Sequence, residues 1–218
     1  SATRSDPRPP EVGCCSGHDA ERHGLILLIA LGESIVEIGA GSRDVVDTGV
    51  VVAAIVSVAV TAELWWLYFD VVALVAARRL AHATPGHEQN AIARDSFSYL
   101  HLPMVAGIIL VALGFEETLR DVSAHLHRIP AVALLGGTAM YLLAHVAFRW
   151  RNVHRFTYAR LVVAIVCVLL IPVAVHVPAL VTLSALALLL LSLILFERRR
   201  WAELRQRLRH QLVATPAP

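Results

Sequence analysis

Long apolar runs alternate along the chain with short connectors that carry arginine. Six runs can be marked, at about 25–41, 50–73, 99–115, 131–148, 161–177 and 179–196. Each is near the ~20 residues with which a helix crosses ~30 Å of hydrocarbon. Backbone polar groups in lipid must pair within their own segment, so helices are expected. The ~10-residue alternating strands of a membrane barrel do not occur. His176, Val177 and Pro178 divide the last two runs, which predicts a tight helical hairpin with Pro178 opening the last helix. Pro103 and Pro172 fall inside runs three and five and are expected to kink them. Gly32, Gly39, Gly41, Gly107, Gly114, Gly136 and Gly137 are expected to let helices pack closely. The predicted fold is all-α: a polytopic integral membrane bundle of six transmembrane helices. It comprises an N-terminal tail (1–22), a six-span domain (23–197) and a basic C-terminal tail (198–218).

Composition supports this division. Of 218 residues, 57% are hydrophobic and 17% charged. Soluble domains sit nearer 45–50% and about 25%. The mean hydropathy is +0.64. These values exclude a disordered chain and a coiled-coil rod, and they argue against a soluble globular enzyme. The net charge of +2 gains meaning only when mapped. All 19 basic residues are arginine, and with six spans all but Arg43, Arg120 and Arg128 fall on the side of the two termini. Arginine marks the cytoplasmic side. Both termini are therefore expected in the cytoplasm. The run from Glu197 to His210 has two readings, an interfacial amphipathic helix drawn to anionic lipid or a solvated stop-transfer tail.

The candidate chemistry lies at membrane depth. A charge at the centre of a membrane helix costs ~2.5–3.5 kcal/mol on insertion scales, and such groups default to functional candidates. The residues concerned are Glu33 and Glu37 in run one, Glu63 and Asp70 in run two, His101 in run three and His145 in run four. A rise of ~1.5 Å per residue puts Glu63, His101 and His145 in one layer ~9 Å above the cytoplasmic face, with Glu33 ~6 Å higher. Asp70 falls at the cytoplasmic edge. Helical spacing aligns Glu33 with Glu37, Glu63 with Trp66, Leu67 and Asp70, and Tyr141 with His145 and Arg149. These stripes are expected to face the bundle interior or another subunit. One reading is a path or site for a proton or small cation, with histidine suited to share the proton. The other is that Glu and His hydrogen bonds hold the helices together.

Other chemistry is sparse. Cys14, Cys15, His18 and His23 lack the spaced pairs of a structural zinc site, so no metal is expected. Cys14, Cys15 and Cys167 indicate no disulfide framework. His82 and His87 flank a Pro85-Gly86 turn, and His125 and His127 lie in an outer loop. No cofactor is expected; the alternative is haem held between His101 and His145. No phosphate loop, nucleophile elbow or His-Glu-x-x-His pair is present, and no enzyme is expected. Trp65, Trp66, Tyr68 and Phe69 are expected to form an aromatic belt. The expected partners are the lipid bilayer and a proton or small cation, with a homo-oligomer as a further option and no nucleic acid.

Several segments resemble the bacterial low-temperature-requirement A family. They are His-Asp-Ala-Glu-Arg-His-Gly-Leu-Ile-Leu-Leu-Ile-Ala-Leu-Gly-Glu-Ser-Ile at 18–35, Leu-Trp-Trp-Leu-Tyr-Phe-Asp at 64–70, Tyr-Leu-His-Leu-Pro-Met-Val-Ala-Gly at 99–107 and Gly-Gly-Thr-Ala-Met-Tyr-Leu-Leu-Ala-His at 136–145. The resemblance implies a multi-pass inner-membrane protein linked by name to growth in the cold. It brings no catalytic residues with it, but it sets Glu33, Asp70, His101 and His145 within family motifs. It also implies an N-terminal half that this sequence does not contain, so a C-terminal fragment or a truncated gene is expected. The functional expectation is movement of a proton or small cation through the Glu/His layer. The alternative is a non-transporting scaffold or sensor.

Overall fold

The computed structural model describes residues 14–41, 47–69, 99–153 and 157–214, with side chains described for 24–40, 47–69, 99–151 and 157–200. Six helical rods account for nearly all of them. They are α1 (Cys14–Gly41), α2 (Thr48–Phe69), α3 (His101–Arg120), α4, α5 (Tyr158–Ala174) and α6 (Ala179–Ala214). α4 runs on from an α-helical turn (Arg128–Ala131) through a π-helical turn (Val132–Gly136) into a longer helix (Gly137–Val153). Thr48–Phe69, His101–Arg120, Arg128–Arg151 and Ala179–Arg200 are long and apolar enough to cross a membrane. α5 is equally apolar but has 17 residues, or ~26 Å of helix, just under a full crossing. The molecule is an all-α membrane-type bundle.

The rods close a circuit in the order α1, α2, α6, α5, α4, α3 and back to α1. α3 also reaches α2 and α6 across the interior. The core is drawn from one stripe of each helix. On α2 this stripe is Ala53, Ser57, Val60, Leu64, Leu67 and Tyr68, on α3 it includes Met104, Ile108, Val111 and Phe115, and on α6 it is Leu183, Leu186, Leu190 and Leu193. The opposite faces carry exposed Ile, Leu and Val, as a bundle solvated by lipid requires.

Small residues bring α3 and α4 together. A Cβ on Gly107 would stand 2.7 Å from the Gly137 carbonyl oxygen, and one on Gly114 would stand 2.6 Å from Leu134 Cβ. A Cβ on Gly137 would meet the Gly107 carbonyl oxygen at 2.8 Å. Gly32 and Gly39 behave otherwise: nothing lies within 4 Å of either position. They sit off the buried stripe of α1, so close packing does not explain them. Pro103 does not kink α3, because it is the third residue of that helix, where its missing N–H has no partner to lose. Pro172 lies within α5, two residues before its end.

The connection between α3 and α4 is an ordered cap. Asp121 Oδ1 accepts from Ser123 N (3.1 Å), Ser123 Oγ (2.8 Å) and Ala124 N (3.0 Å). The Ser123 hydroxyl and these two amides hold the Asp121 carboxyl below the usual carboxylate range. The same loop closes the next hairpin. Ala179 N donates to Ala124 O (2.8 Å) and Leu180 N to Val122 O (3.2 Å), so the first amides of α6 are satisfied. Asp47 caps α2 in the usual way, accepting from Val50 N at 2.8 Å.

Candidate functional site

Polar side chains meet where the last turn of α2, the first turn of α3 and the middle of α4 converge. Tyr68 ends the buried stripe of α2. Its hydroxyl lies 2.8 Å from Nε2 of His101, the first residue of α3. Both are nearly inaccessible, at 2% and 4% exposure. The Tyr68 ring stands edge-on to His101 at 5.7 Å and to His145 at 6.2 Å, so one tyrosine touches both histidines. Phe148, one turn beyond His145 on α4, packs edge-on to His101 at 5.6 Å.

The tautomer of His145 follows from its surroundings. Its Nδ1 lies 2.8 Å from the carbonyl oxygen of Tyr141, which can only accept, so Nδ1 carries the hydrogen. Nε2 of the neutral ring is then a bare lone pair. That atom is fully buried and has no hydrogen-bond partner among the described residues. Buried polar atoms are nearly always paired, so an orphan of this kind calls for a reason. Tyr141 is itself fixed, since its hydroxyl donates to the Leu64 carbonyl oxygen of α2 at 2.6 Å.

Beside this cluster, where the start of α5 lies against α6, is a buried ion pair. Arg160 is fully buried, and its Nε and Nη2 donate to the two carboxylate oxygens of Glu197 at 2.9 and 2.8 Å. Its Nη1 donates to the Leu67 carbonyl oxygen of α2 at 3.2 Å. Arg198 extends the arrangement, its guanidinium lying 4.9 Å over the Trp66 ring.

The expected site residues separate here. His101 and His145 come together around Tyr68. Glu63 is half-buried on α2, and its Oε2 is buried with no hydrogen-bond partner among the described residues. It bonds to neither histidine. Glu33 is exposed on the outside of α1 and Glu37 is half-buried. The buried stripe of α1 is Leu27, Ala30, Leu31, Ser34 and Ile38, which turns Glu33 about a third of a turn away from the interior. Asp70 lies outside the described residues, as do the side chains of Cys14, Cys15, His18 and His23, and both His82 and His87.

Sequence reasoning missed four residues. Tyr68 was expected in an aromatic belt, and the structure buries it. Tyr141 was noted only for its spacing from His145. Arg160 and Glu197 were counted as loop and tail charges. A hairpin turning at 175–178 sets them about one turn apart across α5 and α6, a register visible in the sequence. Among the described residues no three His, Cys, Asp or Glu side chains gather closely enough for a metal ion. Haem does not fit between the histidines in this arrangement, because the Tyr68 hydroxyl occupies His101 Nε2 and its ring abuts both imidazoles.

The sequence pattern of the family described as bacterial low temperature requirement A protein matches residues 6–195. The chain is also similar to the uncharacterized protein RA0937 of Rhizobium meliloti (strain 1021), at 35% identity over 130 residues. That match covers 57% of this chain and 30% of the relative, so the chain spans well under two thirds of the relative's length. No solved structure matches.

Proposed function

This chain belongs to the bacterial low temperature requirement A family, and on that premise we propose that it moves a proton or small cation through the buried Tyr68–His101–His145 cluster. The observation that carries the reading is the buried Nε2 of His145, without a partner among the described residues, on a ring that stands edge-on at 6.2 Å to a tyrosine whose hydroxyl is bonded to a second histidine. A lone pair with no partner is a place to load a proton. A Tyr–His hydrogen bond is a place to hand one on, because either atom of the pair can donate. Glu63 adds a buried oxygen, also without a partner among the described residues, on the same helix as Tyr68. Glu33 and Glu37 stand off the cluster, towards the outer side of α1.

The membrane setting is part of the same reading. The bundle crosses the inner membrane six times with both termini in the cytoplasm, and the cluster lies in its cytoplasmic half. The arginine distribution supports this orientation.

A second reading is favoured by a different observation. Tyr141 and Arg160 each donate to a backbone carbonyl of α2, so the polar groups also tie helices together. In that reading the protein is a scaffold or sensor and moves nothing.

Proton flux in sealed liposomes separates the two. Tyr68→Phe removes one hydroxyl and keeps the ring. Flux from the wild type that falls at least tenfold in Tyr68→Phe, at equal thermal stability, supports the transport reading. No flux from either sample, with a lower unfolding temperature in the variant, supports the scaffold.

A further inference from the structure

At the opposite end of the bundle from the cluster, a groove of about 290 Å³ opens between α3 and the start of α4. It is lined by Leu110, Leu113, Arg128, Ile129, Val132 and Ala133. From the end of α3 at Arg120, Leu113 lies ~10 Å and Leu110 ~15 Å along the helix, close to the depth of one leaflet of ~30 Å hydrocarbon. Val132 and Ala133 belong to the π-helical turn of α4, whose extra residue per turn alters the helix surface at this point. Arg128 is exposed and forms no ion pair among the described residues. Its neighbour Arg120, in contrast, is held by Glu116 and Glu117.

From the apolar trough and the exposed Arg128 among its lining residues we infer that this groove binds an anionic phospholipid of the leaflet that meets the α3–α4 loop. One acyl chain lies along Leu110 and Leu113, and the phosphate sits on Arg128. The chemistry of the two ends selects this occupant. A hydrocarbon chain alone leaves the guanidinium unmatched, and a free anion leaves the trough empty. An arginine at the first turn of a membrane helix stands at headgroup level, where its fork matches two phosphate oxygens. The stem can lie on the apolar wall while the head stays at the interface.

The test is native mass spectrometry of the full chain released from nanodiscs of mixed phosphatidylcholine and phosphatidylglycerol. The basic C-terminal region can also retain anionic lipid, so the readout is a difference between proteins. Arg128→Gln is expected to retain one phosphatidylglycerol fewer than the wild type, with phosphatidylcholine unchanged. Leu113→Trp, which fills the groove and leaves the charge, is expected to lose the same molecule. Inorganic phosphate is expected not to displace it. Equal phosphatidylglycerol retention in wild type and Arg128→Gln would overturn the inference. So would retention by Leu113→Trp, or displacement by phosphate, which would mark a bare anion site.

Discussion

At the residue scale, Arg160 shows how a buried charge is tolerated. Its guanidinium has a bidentate carboxylate on one side and the Leu67 carbonyl of α2 on the other. Removing one member leaves the other charged and buried, which typically costs about 3–5 kcal/mol. Glu197→Leu should therefore lower the unfolding temperature in detergent sharply. Replacing both partners, Arg160→Met with Glu197→Leu, should recover most of the loss. A double variant as unstable as the single would show that the pair is not the cause. Asp121 makes a smaller, pH-dependent contribution. Its carboxyl is held below its ordinary value by the Ser123 hydroxyl and the amides of Ala124 and Ser123. The loop's stabilisation is thus present above the unfolded pKa of ~3.9 and is lost as pH falls through the lower folded value. Asp121→Asn should flatten the acid limb of a stability curve; an unchanged limb would remove Asp121 as its source.

At the element scale, the closest contact is between α3 and α4. Gly107, Gly114 and Gly137 leave no room for a side chain. Gly114→Leu forces backbones apart and should cost at least about 1–3 kcal/mol. Gly32→Ala meets open space, so it should be neutral or slightly stabilising through helix propensity. Circular dichroism melts of both variants would check the contrast, and a Gly114→Leu protein as stable as the wild type would contradict the close approach. These two glycines also show what the sequence conveyed. The apolar runs revealed the helices, because lipid leaves a long chain few other structures. They did not reveal which glycine faces a neighbour, since every side of a membrane helix is apolar. For the same reason the sequence left open whether Glu33 faces the interior or another subunit; it lies on the exposed side of α1, whereas His101 and His145 each pack against Tyr68. Tyr68 was hidden by its setting among Trp65, Trp66 and Phe69, a cluster that fits a belt equally well. Arg160 was hidden by its position at a span end, where arginine usually meets water or headgroups.

At the scale of the whole molecule, the circuit of six helices holds the polar cluster at one end and the ordered α3–α4 loop at the other. The proposed orientation makes these the cytoplasmic and outer ends. With Cys14, Cys15 and Cys167 replaced by alanine, Ser123→Cys should react with a membrane-impermeant thiol reagent in intact cells. Arg151→Cys should react only after the membrane is opened. The reverse pattern would invert the bundle. Whether the cluster passes a proton is read from proton flux into sealed liposomes carrying the wild type, Tyr68→Phe or His145→Phe. Flux is expected from the wild type and from Gly32→Ala, and is expected to be lost in Tyr68→Phe and His145→Phe. Flux of equal size in His145→Phe, or none from a folded wild type, would contradict it.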